Sequence, residues 1–570
     1  MKRHIPVVAG TILCLFAVSP LLFAADQSPL LDAMKGELDR SFKALQHADE
    51  APLYYLGYHV TDTQKHDISA VYGAITNEKE TRSRIMDTDC RVGEPKLDNT
   101  HEIRGDYDFS YSRSNSANLP FEDDDLAIRT IIWKNTDEIY KTALERYTKV
   151  KTNQQVMVER EDTSADFSIE EPVVYIGETV AVDLDTGAWK ERLKKWSAIF
   201  KEYPFVQTSS VSLSLTNDNR YFVDSDGAMI QTGLSYARLF FRCSGVAEDG
   251  MRINRFENFD SNTPDGLLDG LKAEKVIYRL IDELEALLNA PLAEPYIGPA
   301  ILVNQASGVF FHEIFGHRIE GHRQKSEMEG QTFARKVGKK ILPEFISIYD
   351  DPTKKEFDGK YLRGRYLYDD EGVKTSRVTV VENGILKNFL MSRSPVNNFP
   401  NSNGHGRKQA GRKVVARQGN LMIMSTREFP FETLTEMMID ECKKQGKPYG
   451  LIFYDISGGF TQTGRYGPQS FKVLPLLVYR YYADGRPPEA IRGVDIVGTP
   501  LSSFETIIAT GDDYGVFNGT CGAESGWVPV SALSPSILVK QVEIEKKVKE
   551  QEKPPILEPP YQPSKPEGIF

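Results

Sequence analysis

The stretch "GVFFHEIFGH", residues 308–317, sets two histidines five positions apart around a glutamate. In a regular α-helix, residues four apart differ by about 40° in direction and residues five apart by about 140°. His312 and His317 therefore cannot share one face of an undistorted helix. The helix must end or kink between them, and Gly316 is the residue that leaves helical φ/ψ at little cost. With that break the spacing is compatible with a metal ion held by two imidazoles. Glu313, next to the first of them, is then placed to orient and deprotonate a water molecule. A catalytic zinc site also needs a third protein ligand and an open position for water, so one ligand must come from elsewhere. Three of the nine histidines, His312, His317 and His322, fall within eleven residues, which disfavours chance clustering. The plainer alternative, two histidines satisfied by hydrogen bonds near a helix end, stays open on spacing alone.

The rest of the chain limits the setting. At 570 residues and 40% apolar content it is too long for one ordinary core, so two or three domains are expected. Lys2 and Arg3, the apolar run Val7–Val18 and the following "SPLLFA" read as a signal peptide over residues 1–24, which implies a periplasmic or secreted protein. No later segment approaches the roughly 18 uninterrupted apolar residues of a membrane helix. With 69 Lys and Arg against 81 Asp and Glu, a net charge of −12, nucleic acid is not the expected partner. Cys90, Cys243, Cys442 and Cys521 are too few and too scattered to be a disulfide framework.

The pattern along the chain is α+β: mixed helix and sheet N-terminally, then a strand-rich C-terminal domain carrying the histidine helix. Ser28 caps and Pro29 starts an amphipathic helix, followed by strands from Tyr54 to about Val92 and a helix over about 124–148. Trp189, Leu193, Trp196 and Phe200 mark a further helix ahead of a meander with turns at Asn217–Asn219 and Asp226–Gly227. Thr263 and Pro264 are expected to start the next helix, which ends at the Pro-rich break "APLAEPYIGP". Beyond it comes a short apolar strand, a turn at Asn304 to Ser307, then the histidine helix; a second helix is expected near 431–445. The expected division is 26–165, 166–293 and 294–545, with a charged, then Pro-rich, disordered tail at 546–570.

"HEIFGHRIEGH" resembles the HExxxH segment of the TldD/PmbA family of zinc peptidases, and "NGTCGAESGWVPV" is similar to that family's Gly-Thr-Cys-Gly stretch and the strand after it. "YDDEGVKTSRVTVVENGILKNFLMSR" and "YDISGGFTQTGRYGPQSF" agree with further landmarks of the family. The likeness covers about residues 300–545. It implies that Zn2+ is held by His312, His317 and Cys521, with Glu313 as catalytic base. It also implies a peptide substrate taken in extended form, and either a homodimer or a heterodimer with a related subunit that lacks the ligands. The family's best-known members are cytoplasmic, from which the expected signal peptide sets this chain apart.

Other residues have weaker assignments. His322 stands where the family's better-known members carry an acid, and it is a candidate for contacting substrate or for competing as a ligand. His405, in the glycine-rich "NSNGHGRKQAGRK", is a candidate for holding a peptide backbone. Gly458 and Gly459 form a possible cleft floor. The alternative function is a non-catalytic scaffold or peptide-binding protein of the cell envelope, stabilised by zinc with four protein ligands, His322 among them.

Overall fold

This computed structural model describes residues 25–103, 116–154, 162–467 and 469–547, together with 555, 557 and 560. The expected signal peptide at 1–24 lies outside the described residues, as does nearly all of the expected tail at 546–570.

The α+β reading holds. Helix α1 (Pro29–Leu45) begins with the Ser28 hydroxyl accepting from the Leu30 N–H at 3.3 Å, and it buries Leu30, Leu31, Met34 and Leu38. Strands β1 (Leu53–Val71) and β2 (Ala74–Glu94) form a long hairpin whose turn residues, Tyr72 and Gly73, both have positive φ, as tight hairpin turns require. With α2 (Asp125–Gln154), α1 covers the Leu56, Tyr58, Val60 and Met86 part of this sheet. Farther along, Ile68 and Ala70 pack under α3 (Thr186–Ala198) and α4 (Gly270–Asn289), with Trp189, Leu193 and Trp196 on one stripe as the sequence indicates.

Strands β3 (Thr208–Asp224), β4 (Met229–Val246) and β5 (Arg252–Ser261) complete the main sheet in the order β2-β1-β3-β4-β5. Because β1 pairs with β3 from Gly57–Asp224 to Ala70–Val211, one sheet runs across the expected division at 165/166. Two local expectations are corrected. Asn217, Asp218 and Asn219 are not a turn but lie within β3. Two of these polar side chains are paired: Asn219 Oδ1 accepts from the Val180 N–H at 2.7 Å, and Asp218 accepts from Thr63 at 2.7 Å. Thr263 and Pro264 start only a single 3-10 turn. The helix proper begins at Gly270, where Asp269 caps it by accepting from the Lys272 N–H at 2.9 Å.

The C-terminal region opens with β6 (Tyr296–Leu302), followed directly by α5 (Asn304–Ile314), so the turn expected at Asn304 to Ser307 is already helix. Among the described residues, two sheets enclose α5. The first contains β7 (Ile346–Asp350), β8 (Val378–Glu382), β9 (Asn420–Ser425) and two later strands, β14 (Gly515–Ala523) and β15 (Gly526–Ser534), in the order β8-β7-β9-β15-β14. The second contains β10 (Tyr449–Thr461), β11 (Phe471–Tyr482), β12 (Val494–Gly498), β13 (Ile507–Gly511) and β16 (Ile537–Lys546). Its order is β13-β16-β12-β11-β10-β6, and β16 pairs with β6 as well, closing five strands into a ring. Helix α6 (Phe431–Lys444) packs outside that ring on Ile301, Ile452 and Leu538.

Arg255 of β5 ties the two regions together. Buried to 1% exposure, it donates to Glu283 of α4 at 2.6 Å and to Asp455 of β10 at 2.7 Å. Removing one partner of a fully buried pair costs about 3–5 kcal/mol, and the partial exposure of Glu283 and Asp455 reduces that. Arg255→Met is expected to cost about 2–4 kcal/mol, read as a lower urea midpoint; an unchanged midpoint would show that the bridge contributes nothing.

Candidate metal centre

Helix α5 is buried on every side from Ala306 to Ile314, as a helix held between two sheets must be. It lies on the β14–β15 hairpin, with Ser307 and Ser534 hydroxyls 2.7 Å apart. Gly308 allows this approach, since a Cβ there would stand 3.0 Å from the Ala532 carbonyl oxygen. The α-helix ends at Ile314, Phe315 departs to φ −105°, and Gly316–Arg318 continue as one 3-10 turn. The required break is present, but its cause differs from the one expected. Gly316 does not adopt positive φ; it is small because a Cβ would fall 1.9 Å from Gln418 Oε1. Gln418 in turn donates to the His312 carbonyl at 3.4 Å, next to the break.

The tightened turn brings His317 back beside His312, with ring centroids 5.1 Å apart. Cys521, on β14, stands between them: its Sγ is 3.2 Å from His312 Nε2 and 3.3 Å from His317 Nε2. One donor atom from each of the three residues lies within 4.8 Å of the others, and all three residues are buried. Burial alone would raise the Cys521 thiol, but His317, His312 and Arg417 hold it well below the ordinary thiol value, so it is a thiolate. Burial would lower both imidazoles; the Cys521 charge raises both, helped at His317 by Glu320. Two imidazoles and a thiolate that share protons in this way can exchange them for a cation, and this soft and borderline donor set suits zinc.

Glu320 orients the second histidine. Its Oε2 lies 3.3 Å from His317 Nδ1 and accepts from Arg323 at 2.8 Å. Burial would raise its pKa, yet His317, Arg323 and Arg417 bring it to about 2. A carboxylate on the far nitrogen of a ligand histidine fixes the ring's direction and raises its basicity. Arg417 supports the other side by donating to the Cys521 carbonyl at 2.9 Å. Glu313 is 8% exposed and its side chain lies against Gly459, where a Cβ would be 2.9 Å from Glu313 Cγ. Gly459 thus makes room for the carboxylate at an irregular stretch of β10, and Gly458, with φ 150°, is part of the same irregularity.

Two candidates are placed differently from the sequence reading. His322 turns to Glu524, 2.5 Å from its Oε1, and is not one of the clustered donors. His405 is fully buried, bridging Asp350 at 3.2 Å and Asn403 at 3.0 Å, so it holds the 403–420 segment in place instead of facing a substrate. Glu320, Arg417 and Gln418 were not foreseen. Only Glu320 had a local signal, an acid three residues after a ligand histidine.

Residues 296–546 match the model of the PmbA/TldA metallopeptidase C-terminal domain. The C-terminal domain belongs to the TldD/PmbA family. A metalloprotease of Archaeoglobus fulgidus is 30% identical over 277 residues, 48% of this chain and 59% of that protein. A zinc metalloprotease TldD homolog of Saccharolobus solfataricus is 26% identical over 269 residues, 47% of this chain and 54% of that protein. The matched stretch therefore spans under two thirds of either relative. The crystal structure of TldE from Thermococcus kodakarensis superposes with a TM-score of 0.59 at 14% identity, covering 90% of this chain and 99% of that one, and so shares the fold. TldD homologues are generally cytoplasmic, which corrects the signal peptide and the periplasmic setting expected from the sequence.

Two substitutions test the centre. Glu320→Gln is expected to weaken zinc binding roughly 10–100-fold in competition with a chelator, and unchanged affinity would leave Glu320 without an orienting role. Gly316→Ala is expected to abolish zinc binding, with partial recovery when Gln418→Ala is added; no recovery would mean that Gln418 is not what excludes a side chain at 316.

Proposed function

We propose that this protein is a zinc-dependent metallopeptidase that hydrolyses peptide bonds in extended or unfolded peptides. The observation that carries the reading is the convergence of His312, His317 and the Cys521 thiolate, with the Glu313 carboxylate on the residue next to a donor. His312, His317 and Cys521 would hold the ion. Bound there, zinc would supply Lewis acidity, lowering the pKa of a water molecule and polarising a carbonyl. Glu313 accepts a proton from the attacking water on its carboxylate and then delivers it to the nitrogen of the departing amine. Gly459 leaves the space in which that carboxylate stands, and Glu320 and Arg417 keep His317 and the cysteine strand in position.

The names of the relatives, metalloprotease and zinc metalloprotease, support the reading. The scaffold alternative required His322 as a fourth protein ligand, and its engagement with Glu524 speaks against that. The same reading includes assembly as a homodimer or with a related subunit lacking the ligands. No helix among the described residues is long and apolar enough to cross a membrane.

The test is cleavage of a mixture of unstructured peptides, read by mass spectrometry, with Glu313→Gln alongside and zinc content measured in both. The parent is expected to cleave. The variant should keep its zinc and lose at least about 100-fold in rate. Full activity in the variant would remove Glu313 from the chemistry, and zinc-loaded parent that cleaves nothing would contradict the peptidase.

A further inference from the structure

A second cavity adjoins the outer end of the charge relay around the metal centre, since Glu524 is part of its lining. A cleft of about 750 Å3 lies between the N-terminal sheet and the C-terminal loops, and none of His312, His317 and Cys521 lines it. Its volume is within the roughly 300–1,000 Å3 of small-ligand sites and exceeds what one amino acid requires.

His59, on β1, lines this cavity at 7% exposure, and its Nδ1 has no hydrogen-bond partner. The other ring nitrogen, Nε2, faces Asp370 Oδ1 at 3.7 Å. Burial and the Lys408 charge lower the ring's pKa to about 4, so it is neutral near pH 7. A neutral ring with its N–H toward Asp370 presents Nδ1 as a buried acceptor without a donor.

The surrounding charges point to the donor that is missing. Lys408 is matched by Asp87, and Arg220 by Asp370 at 2.9 Å, so these cations are already neutralised. Asp89 and Glu371 also line the cavity. Asp89 accepts from Arg91 through Oδ2 at 3.0 Å, and its side chain is 41% exposed. Glu371 accepts the Arg393 N–H on Oε2 at 2.6 Å; burial raises its pKa to about 7 against the lowering pull of that N–H and of the Arg91 and Arg393 charges. Arg91 also lines this wall and lies beside both carboxylates, but it is shared with Asp98, so three carboxylates face one guanidinium. Arg146, Lys149, Arg412 and Lys413 contribute positive charge elsewhere on the lining.

We infer that this cavity binds a short peptide by its free amino terminus, the ammonium donating to His59 Nδ1 and to the Asp89 and Glu371 carboxylates, with the peptide's carboxylate toward Lys149 and Arg412. The site does not depend on peptidase activity. It would take cleavage products as readily as other small peptides.

The test is calorimetric titration of the full chain, in the Glu313→Gln background, with tri-alanine, N-acetyl-tri-alanine and alanine. Tri-alanine is expected to bind one per chain. N-acetylation, Asp89→Asn and His59→Leu should each weaken it at least about tenfold, the loss of one charge-assisted hydrogen bond. Cys521→Ser should leave the affinity unchanged. Asp89→Asn is the safeguard if His59→Leu impairs folding, because Asp89 is partly exposed. No binding, equal binding of the acetylated peptide, or binding lost in Cys521→Ser but kept in Asp89→Asn would overturn the site. Alanine binding as tightly as tri-alanine would overturn the peptide assignment in favour of a free amino acid.

Discussion

The break of the histidine helix at Phe315–Gly316, against which Gln418 packs, is the constraint on which the metal centre depends. Two histidines five residues apart point in different directions on any regular helix, and only a tightened turn at that point lets both reach one thiolate. Gln418 occupies the space that a side chain at 316 would fill and bonds to the His312 carbonyl. A residue a hundred positions later thus packs against the turn, and the helix end becomes part of tertiary packing. The buried helix between a closed ring of strands and the β14–β15 hairpin then fixes where His312 meets Cys521.

Around that geometry the charges are arranged in relay. Glu320 lies between His317 and the guanidinium groups of Arg323 and Arg417; Arg323 continues to Glu524, which also holds His322. Buried charges of this kind are costly unless paired, and here nearly every one has an opposite neighbour. The consequence at the centre is a thiolate in a site where burial alone would favour the neutral thiol. His322 serves this relay, which explains why a third histidine so near the ligands does not join them.

Much of the site was legible in the sequence because its components carry local signals: HExxxH with its glycine, and a cysteine in a glycine-flanked stretch. The α+β class, the helix stripes of Trp189 and Trp196, and the helix at 431–445 were readable from periodicity. What was not legible came from distant pairing. Asn217–Asn219 have turn composition but are held in a strand by pairing on both sides, with Asp218 and Asn219 also bonded to Thr63 and Val180. His405 reads as part of a polar loop, yet Asp350 and Asn403 bury it. Gln418 and Arg417 gave no signal at all, since their roles exist only once the chain has folded back on α5.

X-ray absorption at the zinc edge on the purified full chain tests the central claim most directly. The account predicts two imidazole nitrogens at about 2.0–2.1 Å, one sulfur at about 2.3 Å and one further light atom from solvent. Absence of zinc, or a shell with three imidazoles and one sulfur, would contradict it.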